Sequence, residues 1–203
     1  MVKYVLRGRY AILILKMDEG GDGCSHLVME ITIKEKLVSE SQLKEKVREL
    51  AQQIEADAAG RQIVLVVVLK GSMVFAADLM REIKGSVQID TVACSSYGTK
   101  TVSSGRVQLK KDLDLDVQGK YVVVIEDIID TGRTLHFLCD HMKLHQPGVL
   151  KVCTLLDKPA RREVELDADY VGFEIPDYFV VGYGIDCAEE YRNLPYIGWV
   201  ETE

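Results

Sequence analysis

No two cysteines in this chain stand in a Cys-x-x-Cys pair. The five present, Cys24, Cys94, Cys139, Cys153 and Cys187, are odd in number and widely spread, which argues against a zinc site or a disulfide framework and fits a reducing cytoplasm. Long apolar runs are missing too. The longest, Ile63 to Leu69, is far too short to cross a bilayer as a helix and reads as a buried parallel strand. Tyr10 to Leu15 follows Lys3, Arg7 and Arg9 in the manner of a signal peptide, yet its apolar part is too short and no small-residue cleavage pattern follows. A soluble cytoplasmic protein is expected. Positive charge is in deficit, and the net charge of −7 argues against a broad nucleic-acid footprint. Small anions bound by focused local donors stay open. There is no Gly-x-x-x-x-Gly-Lys-Ser/Thr loop, which disfavours nucleoside-triphosphate hydrolysis. His141 and His145 have the i,i+4 spacing of two ligands on one helix face. The sequence shows neither a Glu beside the first nor a clear third ligand, so they read as solvated helix residues.

What is present suffices for one substantial core, since 203 residues are short for two enzymatic domains. Residues 1–26 run from a short apolar segment into Asp18-Glu19-Gly20-Gly21-Asp22-Gly23 and are set apart as an N-terminal extension, either an extra strand and turn or a poorly ordered stretch. The main domain is expected over 27–203. From Ser41 a helical pattern passes through Val47, Leu50, Ile54 and Ala58 and stops at Gly60. Strand Ile63 to Leu69, the turn Lys70-Gly71-Ser72-Met73 and a helix from about Val74 to Ile83 follow. Val87 to Ser95, Tyr121 to Ile125 and Val149 to Leu156 read as further strands, with a helix from Leu135 to His145. Alternation of Val/Ile/Leu-rich strands with helices predicts an α/β fold with a central, mainly parallel sheet flanked by helices. Ligands of such sheets gather at the carboxyl ends of the strands. Lys70, Gly71, Glu126, Asp127, Asp130 and Lys158 all fall at such ends.

The run Val122-Val123-Val124-Ile125-Glu126-Asp127-Ile128-Ile129-Asp130-Thr131-Gly132-Arg133-Thr134 couples an apolar strand to an acidic pair, and the pair to a small, hydroxyl-rich turn opening a helix. Carboxylates accept hydrogen bonds from vicinal ribose hydroxyls, while the backbone N–H groups of such a turn surround a phosphate. Helix capping by Asp130 or Thr131 explains one polar residue here. It leaves two consecutive carboxylates whose desolvation and mutual repulsion are costly unless something binds them.

This run resembles the signature of the type I phosphoribosyltransferases, and its neighbours resemble the 6-oxopurine branch, the hypoxanthine-guanine phosphoribosyltransferases. The resemblance covers about Leu27 to Glu203. It implies that Glu126 and Asp127 hold the ribose hydroxyls of 5-phosphoribosyl-1-diphosphate. Asp130, Thr131, Gly132, Arg133 and Thr134 would take its 5-phosphate. Lys70 and Gly71 would form the diphosphate loop, with a non-proline cis peptide between Leu69 and Lys70. Asp130 would also serve as general base or acid at N7 of the purine. Ser96 and Tyr97 would open a mobile loop, containing Lys100, that closes over the diphosphate. Lys158 would donate to the 6-oxygen of the base, Phe179 would stack on its ring and Val180 would bond through its backbone. Asp186 would approach Mg²⁺, shared with Glu126 and Asp127, and Arg192 would meet the diphosphate.

A small C-terminal hood, mainly from about 159–203, would complete the fold, and a homodimer or homotetramer is implied. Arg133 occupies a variable turn position, and the hood lacks residues that obviously separate guanine from hypoxanthine. The function so implied is purine salvage, transferring the phosphoribosyl group to hypoxanthine or guanine. Two alternatives are a regulatory protein that senses phosphoribosyl diphosphate and a guanine-xanthine phosphoribosyltransferase. Asp130, Lys158 and the base-pocket residues count against the sensor, which has no need of proton transfer.

Overall fold

The computed structural model describes residues 14–19, 25–97 and 106–200. In chain order the elements are strands β1 (Ile14–Glu19), β2 (Ser25–Glu30) and β3 (Ile33–Val38), helix α1 (Glu40–Ala58), β4 (Ile63–Leu69), α2 (Met73–Glu82), β5 (Val87–Tyr97), β6 (Arg106–Lys111), β7 (Tyr121–Ile129), α3 (Arg133–Leu144), β8 (Val149–Asp157), β9 (Tyr170–Glu174), β10 (Phe179–Val181) and β11 (Ile197–Val200). A 3-10 turn, Pro159–Arg161, follows β8. Two compact units result. One comprises Ser41–Asp177, the other the described residues of Met1–Glu40 and Tyr178–Glu203.

In the larger unit six strands form one sheet in the order β6-β5-β4-β7-β8-β9. Every neighbouring pair is parallel except the antiparallel edge β5–β6. The reason lies in composition. In β4 and in the first six residues of β7 nearly every side chain is buried, so both faces need covering, and β-branched residues suit that environment. Val64, Val66, Val68, Val122 and Val124 share a core with Leu135, Leu138, Cys139 and Met142 of α3. Residues of the opposite parity, Ile63, Leu65, Val67, Tyr121, Val123 and Ile125, are equally buried and point to the other face.

Helix α1 belongs on that second face. Its buried stripe is Leu43, Val47, Leu50, Ala51, Ile54 and Ala58, the spacing of one helical side. Tyr170 donates to Asp57 Oδ2 at 2.7 Å while its hydroxyl lies 2.7 Å from that of Tyr121, linking β9 and β7 to the end of the helix. Each fully buried Leu, Ile or Val contributes about 1.5–3 kcal/mol. The chain leaves α1 through Ala59 and Gly60, both with positive φ.

The smaller unit holds two antiparallel sheets: β1 with β2, and the three strands β10-β11-β3. Its core gathers Ile31, Val181, Cys187 and Val200, with Ile33, Phe179, Tyr191 and Leu194 packed against them. The segment set apart as an extension thus contributes β1 and the first two residues of β2. The C-terminal strands keep company with β3.

The acidic run departs from the sequence reading in one respect. The strand was expected to end at Ile125 but extends to Ile129, because β8 continues beside it, with Glu126 opposite Thr154 and Ile129 opposite Asp157. The acidic pair is therefore held within the strand rather than just past its end.

Candidate active site

Glu126 and Asp127 are consecutive in β7, yet their carboxyl groups stay close enough to hydrogen-bond one another. Glu126 is 9% exposed. Burial, and after it the charge of Asp127, pushes its carboxyl well above the ordinary range. Its Oε1 accepts the Asp127 N–H at 3.3 Å, and Asp127 Oδ1 accepts that of Ile128 at 2.9 Å. A Cβ added to Gly71 would overlap the Asp127 carboxylate, so the Lys70-Gly71 loop approaches β7 as closely as only glycine permits. The peptide between Leu69 and Lys70 is cis, as the resemblance implied. Ser72, fully buried, donates its hydroxyl to Val68 O at 2.5 Å, and Met73 N–H reaches Lys70 O at 3.2 Å. The loop is bound back onto its own strand.

Beyond Ile129 the chain turns sharply. Gly132, with φ of 80°, stands at the N-cap position of α3 and has no side chain to offer. The Arg133 N–H reaches Thr131 Oγ1 at 3.4 Å, and a cavity of about 240 Å³ is lined by Glu126, Asp130, Thr131, Gly132 and Thr134 among others. The side chain of Arg133 turns elsewhere, pairing with Glu163 at 2.5 Å. Cys94 also lines the cavity. Burial first, then the charges of Glu126 and Asp112, pushes its thiol up to about 11, so it stays protonated and is no nucleophile at neutral pH.

Asp130 meets the residues that follow β8. Arg161 Nε lies 2.7 Å from Asp130 Oδ1. The approach is that of an ion pair without hydrogen-bond alignment, and this solvent-shielded oxygen has no hydrogen-bond donor within the described residues. Arg161 also reaches Asp177 at 3.3 Å, and Lys158 Nζ lies 3.8 Å from the same carboxylate. Lys158 is 7% exposed. Burial lowers the pKa of its ammonium, while Asp130 and Asp177 oppose the shift. Arg162 donates to Asp130 O at 2.8 Å and pairs with Asp157. Lys158 N–H bonds Ile129 O at 3.0 Å, and Glu163 N–H bonds Thr131 O at 3.0 Å. The strand exit and the turn are thereby stitched together.

In the smaller unit, Arg192 pairs with Asp186 at 2.9 Å and donates to Gly184 O at 2.8 Å, while Glu189 N–H donates to the other Asp186 oxygen at 2.8 Å. Phe179 and Val180 lie on β10, opposite Val200 and Trp199 of β11. Val180 is buried and Phe179 half-buried. Ser96 and Tyr97 end β5, whereas residues 98–105, Lys100 among them, lie outside the described residues.

The larger unit thus brings together Gly71 with Asp127, and Asp130 with Lys158. Sequence reading missed Arg161, Arg162 and Asp177. The two arginines stand three and four residues past Lys158, where the strand-exit rule that singled out the lysine points equally.

The Phosphoribosyl transferase domain model matches residues 35–188. A hypoxanthine-guanine phosphoribosyltransferase of Streptococcus agalactiae serotype V is 49% identical over 176 residues, covering 87% of this chain and 98% of that protein. The bifunctional protein TilS/HprT of Listeria monocytogenes serotype 4b is 50% identical over 175 residues, or 86% of this chain, which spans only 27% of that longer protein. Among solved structures, a hypoxanthine-guanine phosphoribosyltransferase from Bacillus anthracis superposes with a TM-score of 0.80 at 62% identity, covering 84% of this chain and all of that one. With its parallel sheet, its acidic strand end and its Thr-Gly-Arg-Thr turn, the chain belongs to the phosphoribosyltransferase family, in the branch of the hypoxanthine-guanine phosphoribosyltransferases.

Proposed function

We propose that this protein transfers the 5-phosphoribosyl group of 5-phosphoribosyl-1-diphosphate to hypoxanthine or guanine, giving the nucleoside monophosphate and diphosphate. The carrying observation is the solvent-shielded Oδ1 of Asp130, which has no aligned donor although a cation stands beside it. Arg161 offsets its charge but leaves the oxygen able to accept a further hydrogen bond, and an imidazole N–H of a purine is a donor of the required kind. As the bond from C1 of the ribose to the diphosphate breaks and that to N9 forms, Asp130 takes the proton from N7. Lys158, buried on the same side, donates to the 6-oxygen. The hydroxyl and amides of Thr131 to Thr134 hold the 5-phosphate.

Glu126 and Asp127 accept from the ribose hydroxyls and offer hard oxygen donors that suit Mg²⁺, and Asp186 of the smaller unit is a further donor of that kind. The strained ionisation of Glu126 supports that fit, since a nearby cation or donor relieves it. When bound with the donor, Mg²⁺ would neutralise charge on the departing diphosphate. Lys70 and the Gly71 loop amides would add fixed positive potential there. Arg192, whose charge Asp186 and Glu189 offset, is assigned to the diphosphate. For the base itself, we assign ring stacking to Phe179 and backbone bonding to Val180. Cys94, Cys139, Cys153 and Cys187 are in no disulfide, which is in keeping with work in a reducing cytoplasm.

The test is diphosphate release with hypoxanthine, guanine, xanthine and adenine offered separately with the donor and Mg²⁺. Turnover with the first two and little with adenine is expected, because an amino group in place of the 6-oxygen leaves Lys158 without its acceptor. Equal use of adenine would defeat the assignment of Lys158. Absence of release with every base would defeat the proposal.

A further inference from the structure

Helix α3 carries the Thr-Gly-Arg-Thr turn at its start, and a second cluster of chemical groups lies at its far end. His141 is in its last turn and His145 directly follows it. Their i,i+4 spacing lacked a third partner in the sequence, and the structure supplies one. Asp112, directly after β6, brings both carboxylate oxygens to 2.9 Å from His141 Nε2, and one of them to 3.7 Å from His145 Nε2. The two Nε2 atoms are 3.4 Å apart. One ligand atom from each residue falls within 4.8 Å of the others.

Two features make this more than a surface ion pair. The first is proton accounting. If His141 Nε2 carries a proton for Asp112, it has no lone pair left for His145. If it is bare and accepts from His145, it faces the carboxylate lone pair to lone pair. A proton on His141 Nε2 serves Asp112 and reaches His145 only as the weaker arm of a forked bond, whereas one cation between three lone pairs satisfies all three groups. The second is dimension. Four-coordinate Zn²⁺ with bonds of about 2.0–2.1 Å sets its ligand atoms ~3.3 Å apart. The observed 3.4 Å between nitrogens matches that edge, and the 2.9 and 3.7 Å contacts to oxygen bracket it.

The ligands are also held. The imidazoles meet at 71° with centroids 5.1 Å apart, and His141 stacks on Phe137. Leu113 N–H fixes Asp112 Oδ1 at 2.8 Å, and Lys111 Nζ fixes Asp112 O at 3.0 Å. All three side chains are partly buried.

We propose that Asp112, His141 and His145 form a site for a borderline divalent cation of the Zn²⁺ type, separate from the Mg²⁺ proposed for the transfer reaction. Two imidazoles and one carboxylate favour Zn²⁺ over Mg²⁺, which takes oxygen ligands and keeps its waters. Three protein ligands leave a fourth position to water. The ion joins the segment after β6 to the end of α3, so it acts as a clip on the fold rather than on the substrate.

The test uses the full chain, stripped with a chelator and kept in millimolar Mg²⁺ to fill the oxygen-rich site. Zn²⁺ is titrated calorimetrically, and Co²⁺ is followed by visible absorption. One Zn²⁺ per chain is expected to bind despite the Mg²⁺, and to raise the thermal midpoint. Asp112→Asn, His141→Gln and His145→Gln should each weaken it at least tenfold, and the double histidine variant should lose both the intense tetrahedral Co²⁺ bands and the midpoint shift. Circular dichroism and metal-free midpoints establish that the variants fold. If the double variant does not fold, the single ones decide. No Zn²⁺ uptake by the parent chain, unchanged affinity in the single variants, or Co²⁺ bands of thiolate charge-transfer type that persist without the histidines would overturn the site.

Discussion

At the scale of single residues, the site sets ionisation against stability. Glu126 titrates above its ordinary value in the folded chain because burial and Asp127 disfavour its charge. As pH rises from about 4.5, the unfolded chain releases this proton first, so the folded state loses stability until the folded carboxyl has also ionised. Glu126→Gln removes that titration. The variant should gain in urea midpoint over the parent as pH rises from 4.5 to 8, while donor affinity falls about 10–100-fold through loss of a charged hydrogen bond worth about 1.5–3 kcal/mol. A stability gap that narrows with rising pH would contradict the assigned burial. Asp130 differs, because Arg161 already stands beside it. Asp130→Asn keeps the shape but not the proposed base, so kcat should fall by about 10²–10⁴ with donor binding nearly unchanged. Steady-state rates and donor titration separate the two effects.

At the scale of elements, the loop between β4 and α2 and the acidic end of β7 are fitted to each other through Gly71. Gly71→Ala has a local backbone compatible with a side chain, since its φ is not among the positive ones, yet the added methyl meets the Asp127 carboxylate. Asp127 must then move, and misplacement of a positioning group by about 1 Å costs on the order of 10²-fold in rate. We expect kcat/KM to drop by about that factor with the far-ultraviolet spectrum intact, and parent-like kinetics would show that the loop yields freely. The same comparison explains what the sequence could and could not disclose. Strand β7, its turn and Lys158 were legible because apolar runs ending in polar residues mark strand exits locally. The contact of Gly71 with Asp127, the pairing of Arg161 with Asp130 and the addition of Asp112 to His141 and His145 were not. Each joins residues from separate elements, and sheet order, which no local pattern reveals, brings them together. The end of β7 was misjudged for a related reason: pairing with β8 carries the strand through two carboxylates of poor strand propensity.

At the scale of the whole molecule, an acidic protein is proposed to bind a strongly anionic donor, and net charge works against that encounter. Affinity must then come from local potential: amides at the start of α3, the loop after β4 and the cations near them, with Mg²⁺ screening the donor. Since the donor would bind only the folded chain, saturation at about 100 times its Kd adds about 2.7 kcal/mol. For a chain of this size that corresponds to a rise in Tm of about 5–10 °C, at 2–4 °C per kcal/mol. The rise should require donor and Mg²⁺ together and should shrink sharply in Gly71→Ala and Glu126→Gln, whereas His141→Gln should leave it intact. A shift produced equally by inorganic diphosphate without Mg²⁺ would mean that the anion alone is recognised. The ribose-binding role of the acidic pair would then fall, although the fold and the phosphate turn would stand.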